Sequence, residues 1–397
     1  MIRPLLTLVL LGGCTPESPK DTAPVDSGAG AGDTAGGDTG DSGADTSDTS
    51  VDSADTGDTG DTGGDTADTD DAVCTTTPSV MLYTPSTGLW TDFTASIPTA
   101  LPAVSFGLNE PGGEVRFCGG TWYTYMHAET DVTISGAYGA IVNAGGYSTG
   151  LEIQMDGIEV TIRDLTLTGG VANKPVDAGG VGGGGILCER LGATLRLDGV
   201  TITGNTSATY GGGMYIDGCS VSMNNVAITN NTASAGAGAF LIGIGAPTVV
   251  DITGSTIGSN AASLGGGGIY AMTGGADATV NLVDTFVSAN TSVRGGGGIA
   301  IADGAIAGAT TSVTCTATGA GAGGFEGNAA GDATLPGGGI YLISWYGSPA
   351  EFTSAGCDFG TSGTADDNTP ADVFVYGKSS YAYGDGASFS CDGAGCN

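Results

Sequence analysis

The fold this sequence predicts is all-β: a single-stranded parallel β-helix of about nine or ten coils behind a disordered N-terminal linker. Three observations predict it. A pattern recurs, because Asn205, Asn231, Asn260 and Asn290 are spaced 26, 29 and 30 residues apart. Each is followed nine residues later by an apolar residue closing a small-residue cluster, namely Met214, Phe240, Ile269 and Ile299. Within each repeat, apolar residues alternate with polar ones. Val160/Ile162, Leu195/Leu197, Val221/Met223, Val250/Ile252 and Val280/Leu282 flank Thr161, Arg196, Ser222, Asp251 and Asn281. A period of two is that of a half-buried strand. Finally, glycine clusters at 182–185, 211–213, 265–268, 295–298 and 337–339 each precede another apolar pair, such as Ile269/Ala271 or Ile340/Leu342.

Residues 1–13 read as an export signal. Arg3 supplies a positive start and the stretch from Leu5 to Leu11 is apolar, which is too short for the ~20 residues a membrane helix needs. The string Leu11-Gly12-Gly13-Cys14 resembles the lipobox of bacterial lipoproteins. That resemblance implies lipid attachment at Cys14 and a membrane anchor. Thr15 after Cys14, where an Asp would signal retention, implies an outer-membrane or cell-surface location.

Residues 14–73 form the linker, built of Asp-Thr-Gly, Asp-Ser-Gly and Asp-Thr-Ala units. They carry 16 of the chain's 42 acidic residues and no aromatic one. Low hydrophobicity and like charge prevent a packed core and extend the segment as a stalk. Asp at every third position is not the ligand spacing of a calcium loop. No cofactor is expected, and calcium is the one metal left open.

The remaining 324 residues carry 26 acids and seven bases, a net charge of −19. Nucleic acid is therefore excluded as a partner, since an acidic surface cannot replace its counterions. Residues 74–110, with Trp90 and several prolines, are expected to cap the N-terminal edge of a solenoid over 111–397, because open strand edges aggregate. Eight cysteines remain beyond Cys14, and in an exported chain they read as disulfides. Eight allow 105 connectivities. Neighbour pairing is expected because a solenoid contacts only adjacent coils: Cys74 with Cys118, Cys188 with Cys219, Cys315 with Cys357, Cys391 with Cys396.

Three short strands per repeat make one coil. Asn at the recurring turn tolerates a left-handed corner. Stacked copies can also bond to one another or to the next coil, the alternative being a plain turn former facing solvent. The glycine clusters are corners and not phosphate cradles, because a strand and no Lys follows each.

The strings Gly204-Asn205-Thr206 with Gly211-Gly212-Gly213-Met214, and Ser259-Asn260-Ala261 with Gly266-Gly267-Gly268-Ile269, resemble repeats of the polymorphic outer-membrane protein family of surface adhesins. Residues 113–122 leading to Val132-Thr133-Ile134-Ser135-Gly136 are similar to the opening coil of pectin-lyase-like β-helices. Together the resemblances span about residues 110–390 and imply a right-handed helix. The adhesins end in a membrane barrel with an aromatic last strand. This chain ends Gly395-Cys396-Asn397, so its expected anchor is the lipid on Cys14.

The pectin-lyase-like fold hosts polysaccharide lyases and hydrolases, which need a base or paired carboxylates. The candidates are Arg163 with Asp164 and Arg196 with Asp198, in adjacent coils. Asp366 and Asp367 read as turn residues, and His127, the single histidine, reads as structural. Alternating with the third apolar pair runs a column of Leu187, Tyr215, Leu241, Tyr270, Ala300 and Tyr341. If it faces outward, Tyr215, Tyr270 and Tyr341 suit a carbohydrate or a surface-protein ligand, unless neighbouring loops cover them. The expected function is a lipid-anchored envelope protein with an adhesive, recognition or structural role. The alternative is a polysaccharide lyase or glycoside hydrolase.

Overall fold

A computed structural model describes residues 73–172, 182–304, 308–319, 321–331, 337–344, 346, 348–360, 364–365, 367–377, 380–384, 391–392 and 395–396. Cys14 and the linker up to residue 72 lie outside them. No helix among the described residues is long and apolar enough to cross a membrane.

The chain is a parallel β-helix. Its first face is a sheet of 12 strands. Ten of these, from β4 (Gly113–Cys118) to Ser380–Gly384, stack in parallel, one per coil. The register aligns like with like: Val160, Leu195, Val221, Val250, Val280 and Val313 form one buried column, and Ile162, Leu197, Met223, Ile252, Leu282 and Cys315 the next. The outward residues between them stay polar, giving the alternating burial read from the sequence.

The second and third faces join into one sheet of 19 strands. The join is β5 (Thr121–Ala128), which runs around the corner between the faces and pairs with both Ile141–Asn143 and Leu151–Ile153. From the third coil onward a fourth, short sheet of six strands separates the two faces, from Val171–Ala172 to Ala329–Ala330. Sequence periodicity predicts three strands per coil and misses this one, because several of its members are two residues long and built of Thr, Ser and Ala.

Both ends are closed. Strands β1 (Ser79–Thr84) and β2 (Leu89–Asp92) add to the first face antiparallel to β4 and to each other. Strand β3 (Val104–Leu108) pairs with β5. At the other end Gly395–Cys396 pairs antiparallel with Ala371–Gly377, and Cys391 lies opposite Cys396 in the backbone register. Disulfides join Cys74 to Cys118, Cys188 to Cys219 and Cys315 to Cys357, as neighbour pairing predicts.

The asparagines form a ladder inside the coil. Each Nδ2 of Asn205, Asn231, Asn260 and Asn290 donates to Oδ1 of the next coil's Asn at 2.9–3.1 Å. Each also donates to a main-chain carbonyl, of Leu167, Ile202, Ile228 and Ile257 respectively. The main-chain N–H of each Asn donates to the same Oδ1. The ladder runs two rungs further than the fixed period suggests, to Asn328 and Asn368, because the later coils carry longer loops. One expectation is corrected. The left-handed residue at this corner is the one before the ladder Asn: Gly204, Asn230, Ser259 and Ala289 have φ of 66, 56, 57 and 53°. The ladder Asn is selected for its buried amide.

Glycine is dictated by coil stacking at recurring positions of the clusters. A Cβ on Gly185, Gly213, Gly238, Gly268, Gly298 or Gly339 would stand 2.5–2.7 Å from a carbonyl oxygen of the next coil. No side chain larger than hydrogen fits without separating the coils.

Candidate functional site

The basic side chains on the first-face strands, Arg116, Arg163 and Arg196, lie toward the N-terminal end. Glu114 and Arg116 alternate outward on β4, Ser135 follows one coil later and Arg163 a coil after that. Glu114 Oε1 accepts from Arg116 Nη2 at 2.8 Å, Ser135 Oγ at 2.6 Å and Arg163 Nη2 at 3.1 Å. Burial works to raise the Glu114 carboxyl. The Ser135 and Arg116 hydrogen bonds, with the two guanidinium charges, outweigh it and hold the carboxyl below its usual range. The Arg116 guanidinium, itself buried, lies 5.1 Å from the Trp90 ring centroid.

The four residues proposed from sequence as a catalytic group separate into other roles. Arg163 turns to Glu114. Asp164 occupies the left-handed corner after the first face, at φ 57°, in a column with Gly199, Asn225, Gly254 and Asp284. Arg196 Nε donates to Glu159 Oε1 at 2.8 Å in an exposed pair. Asp198 accepts from Asn224 Nδ2 at 2.8 Å. Sequence reasoning passed over Glu114. The signal available was its spacing of two from Arg116 on one outward face. Asp366 lies outside the described residues, and the Asp367 N–H donates to the Thr364 carbonyl, closing a turn.

The tyrosine column is corrected in register and in exposure. Phe240, not Leu241, continues it: Leu187, Tyr215, Phe240, Tyr270, Ala300, Tyr341 and Phe374 align. The shift arises because the segment from Asn231 to its strand is one residue shorter than in its neighbours, so Ala239 takes the place of Met214 and Ile269. The column does face away from the coil axis, yet Tyr215 and Tyr341 are buried and Tyr270 is half-buried. The glycine loops fold back over it. A Cβ on Gly295 would stand 2.4 Å from Tyr341 Cδ1, and the Tyr210 ring packs 4.5 Å from that of Phe240. Beneath this roof Tyr215, Phe240 and Tyr270 stack at 5.5 and 5.3 Å. Burial, with Tyr341, Tyr210 and Asp303 nearby, pushes the Tyr270 hydroxyl above the usual phenol range. The three tyrosines are therefore a second apolar core and not an open stripe.

In the first two coils, before the glycine loops begin, the same column continues as His127 and Glu152. His127 Nδ1 lies 3.0 Å from Gln154 Nε2 and 3.4 Å from Glu152 Oε2, and its ring meets Tyr125 edge-on at 5.8 Å.

At the far end of the ladder, Asn368 Nδ2 donates to Asp372 Oδ1 at 2.8 Å. Burial is the main cause that pushes the Asp372 carboxyl up to about 6. Asp367 and Asp358 add to the rise, and the hydrogen bonds from Asn368 oppose it.

Among the described residues, no group of three or more His, Cys, Asp or Glu side chains is placed to hold a metal ion. The Asp-rich linker lies outside them. Comparison of the chain with protein-family models, curated proteins and solved structures finds no match.

Proposed function

We propose that this is a lipid-anchored cell-envelope protein, a rigid β-helix carried on an acidic stalk, with an adhesive, recognition or structural role. The observation that carries the reading is how the first-face charges are used. Glu114 ties three coils together through Ser135 and Arg163, Glu159 holds Arg196, Asp198 holds Asn224, and Asp251 accepts from Asn281 at 2.7 Å. These carboxylates join coil to coil, as a load-resisting scaffold requires. The N-terminal sequence from Leu11 to Cys14 supports the anchor.

Two measurements test the reading. Cys14→Ala in the full chain should move the protein from the membrane fraction to the soluble fraction of a bacterial host, and unchanged partition would remove the anchor. Purified protein incubated with polysaccharides and calcium should release no unsaturated or reducing ends. Turnover would replace the reading with an enzymatic one, and Glu114, Arg116 and Arg163 would be the residues to examine.

A further inference from the structure

The outward column of the third face is open only where the chain is too short to cover it. Further along, described parts of the glycine-rich turns cover the aromatics, as Tyr210 does against Phe240 and Gly295 against Tyr341. In the first coil there is no loop at all, because β5 turns the corner as one uninterrupted strand. Its burial alternates strictly: Trp122, Thr124, Met126 and Ala128 are buried, and Tyr123, Tyr125 and His127 are half-exposed on the other side. In the second coil Tyr147 stands 56% exposed near the same corner, and Glu152 and Gln154 flank His127.

We propose that this corner is a binding site for a neutral saccharide. The proposal deepens the recognition reading by naming a site and a ligand class, and it rests on that reading. Three features carry it. Tyrosine rings at alternate positions of a strand offer apolar faces to the C–H groups of a sugar while their hydroxyls stay wet. Gln154 Nε2, 3.0 Å from His127 Nδ1, holds the imidazole in one orientation. An imidazole held in place thus sits beside a carboxylate, with Glu152 Oε2 3.4 Å from His127 Nδ1. Neighbouring hydroxyls on one sugar, each able to donate and accept, match that pair. Charge decides between sugar classes. The solenoid carries 26 acids against seven bases, so uronic-acid polymers are repelled and neutral ones are not.

The test is retention of the full chain on immobilised neutral polysaccharides (glucan, mannan, galactan) against polygalacturonate and alginate. Retention on at least one neutral polymer is expected, with none on the anionic pair. Tyr125→Ala should weaken it about tenfold, and Gln154→Leu, which frees the imidazole to turn, should weaken it with no change in ring stacking. Circular dichroism of each variant reports folding, and Tyr147→Ser, on the exposed rim, gives a variant whose fold cannot be at issue. Retention of all three variants at wild-type strength would overturn the site while leaving glycan recognition intact. Absence of retention on any neutral polymer would overturn the proposal and leave a protein ligand for the recognition reading. Retention on the anionic polymers alone would overturn the charge argument and the site with it.

Discussion

Replacing Asp372 by Asn should stabilise the last coils at neutral pH and remove their response to acid. The carboxyl stands at about 6 in the folded chain against a reference of 3.8. Between those values the folded state holds a proton that the unfolded chain has released. Stability contributed by the protonated form is therefore complete near pH 4 and is lost as pH rises through 6. A shift of about two units would correspond to ~3 kcal/mol at full burial, and about 1–2 kcal/mol after discounting for solvent at the rim of the solenoid. The Asn side chain keeps an oxygen to accept from Asn368 Nδ2 and carries no charge to desolvate or to repel Asp358 and Asp367. Because solenoids open locally, the assay is native-state hydrogen exchange read at residues 371–377, not a global melt. The wild type should lose about tenfold in protection between pH 4.5 and 7.5, after correction for intrinsic exchange. The variant should hold the acid level throughout. Flat protection in the wild type, or an unchanged slope in the variant, would refute the reasoning.

Four further outcomes follow from the coil architecture. Asn260→Ala removes the acceptor of Asn231 and the donor to Ile228 and Asn290, and should cost about 3–5 kcal/mol in denaturant unfolding. Gly268→Ala places a methyl 2.7 Å from the Gly298 carbonyl and should cost about 1–3 kcal/mol. Gly107→Ala, with nothing within 4 Å, should be near neutral in the same assay. Breaking Cys188–Cys219 by double substitution to Ser releases a loop with a sequence separation of 31 and should cost about 3–4 kcal/mol, read as a lowered denaturant midpoint.

The fold was legible because a solenoid writes the same physics once per coil. A buried column of Val160, Leu195, Val221 and Val250 needs the same residue type at the same step, and period two then marks the strand. The Asn ladder was visible at its regular rungs and lost at Asn328 and Asn368, where separations of 38 and 40 residues between rungs hide the period. The tyrosine column shows the opposite failure. Alternation reports which residues leave the core, but exposure depends on what folds over them, and the roof is made of glycines that carry no apolar signal. A deletion of one residue before Ala239 also moved Phe240 into the column unseen. At the first-face site the sequence offered adjacent pairs, Arg163 with Asp164 and Arg196 with Asp198. The stacked register instead joins residues 49 apart, Arg163 and Glu114.

The ladder has a direction, and its ends must therefore differ. Each amide donates forward to the next coil and accepts from the coil behind. At the N-terminal end the demand is for a donor, and the Gly170 main-chain N–H meets it at 2.8 Å from Asn205 Oδ1. The coil before it supplies that donor from its backbone, so this end carries no charge. At the C-terminal end the demand is for an acceptor after Asn368, and the chain meets it with a carboxylate at Asp372. A carboxylate is the stronger acceptor, but it is ionisable and costly to bury. Acid sensitivity thus enters a stack of uncharged amides at the one rung where direction forces a different residue. In a structure whose coils touch only their neighbours, a rung weakened there exposes the next. Opening of the β-helix at neutral pH should therefore proceed from Asp372 toward Asn205, with protection rising coil by coil in the same direction.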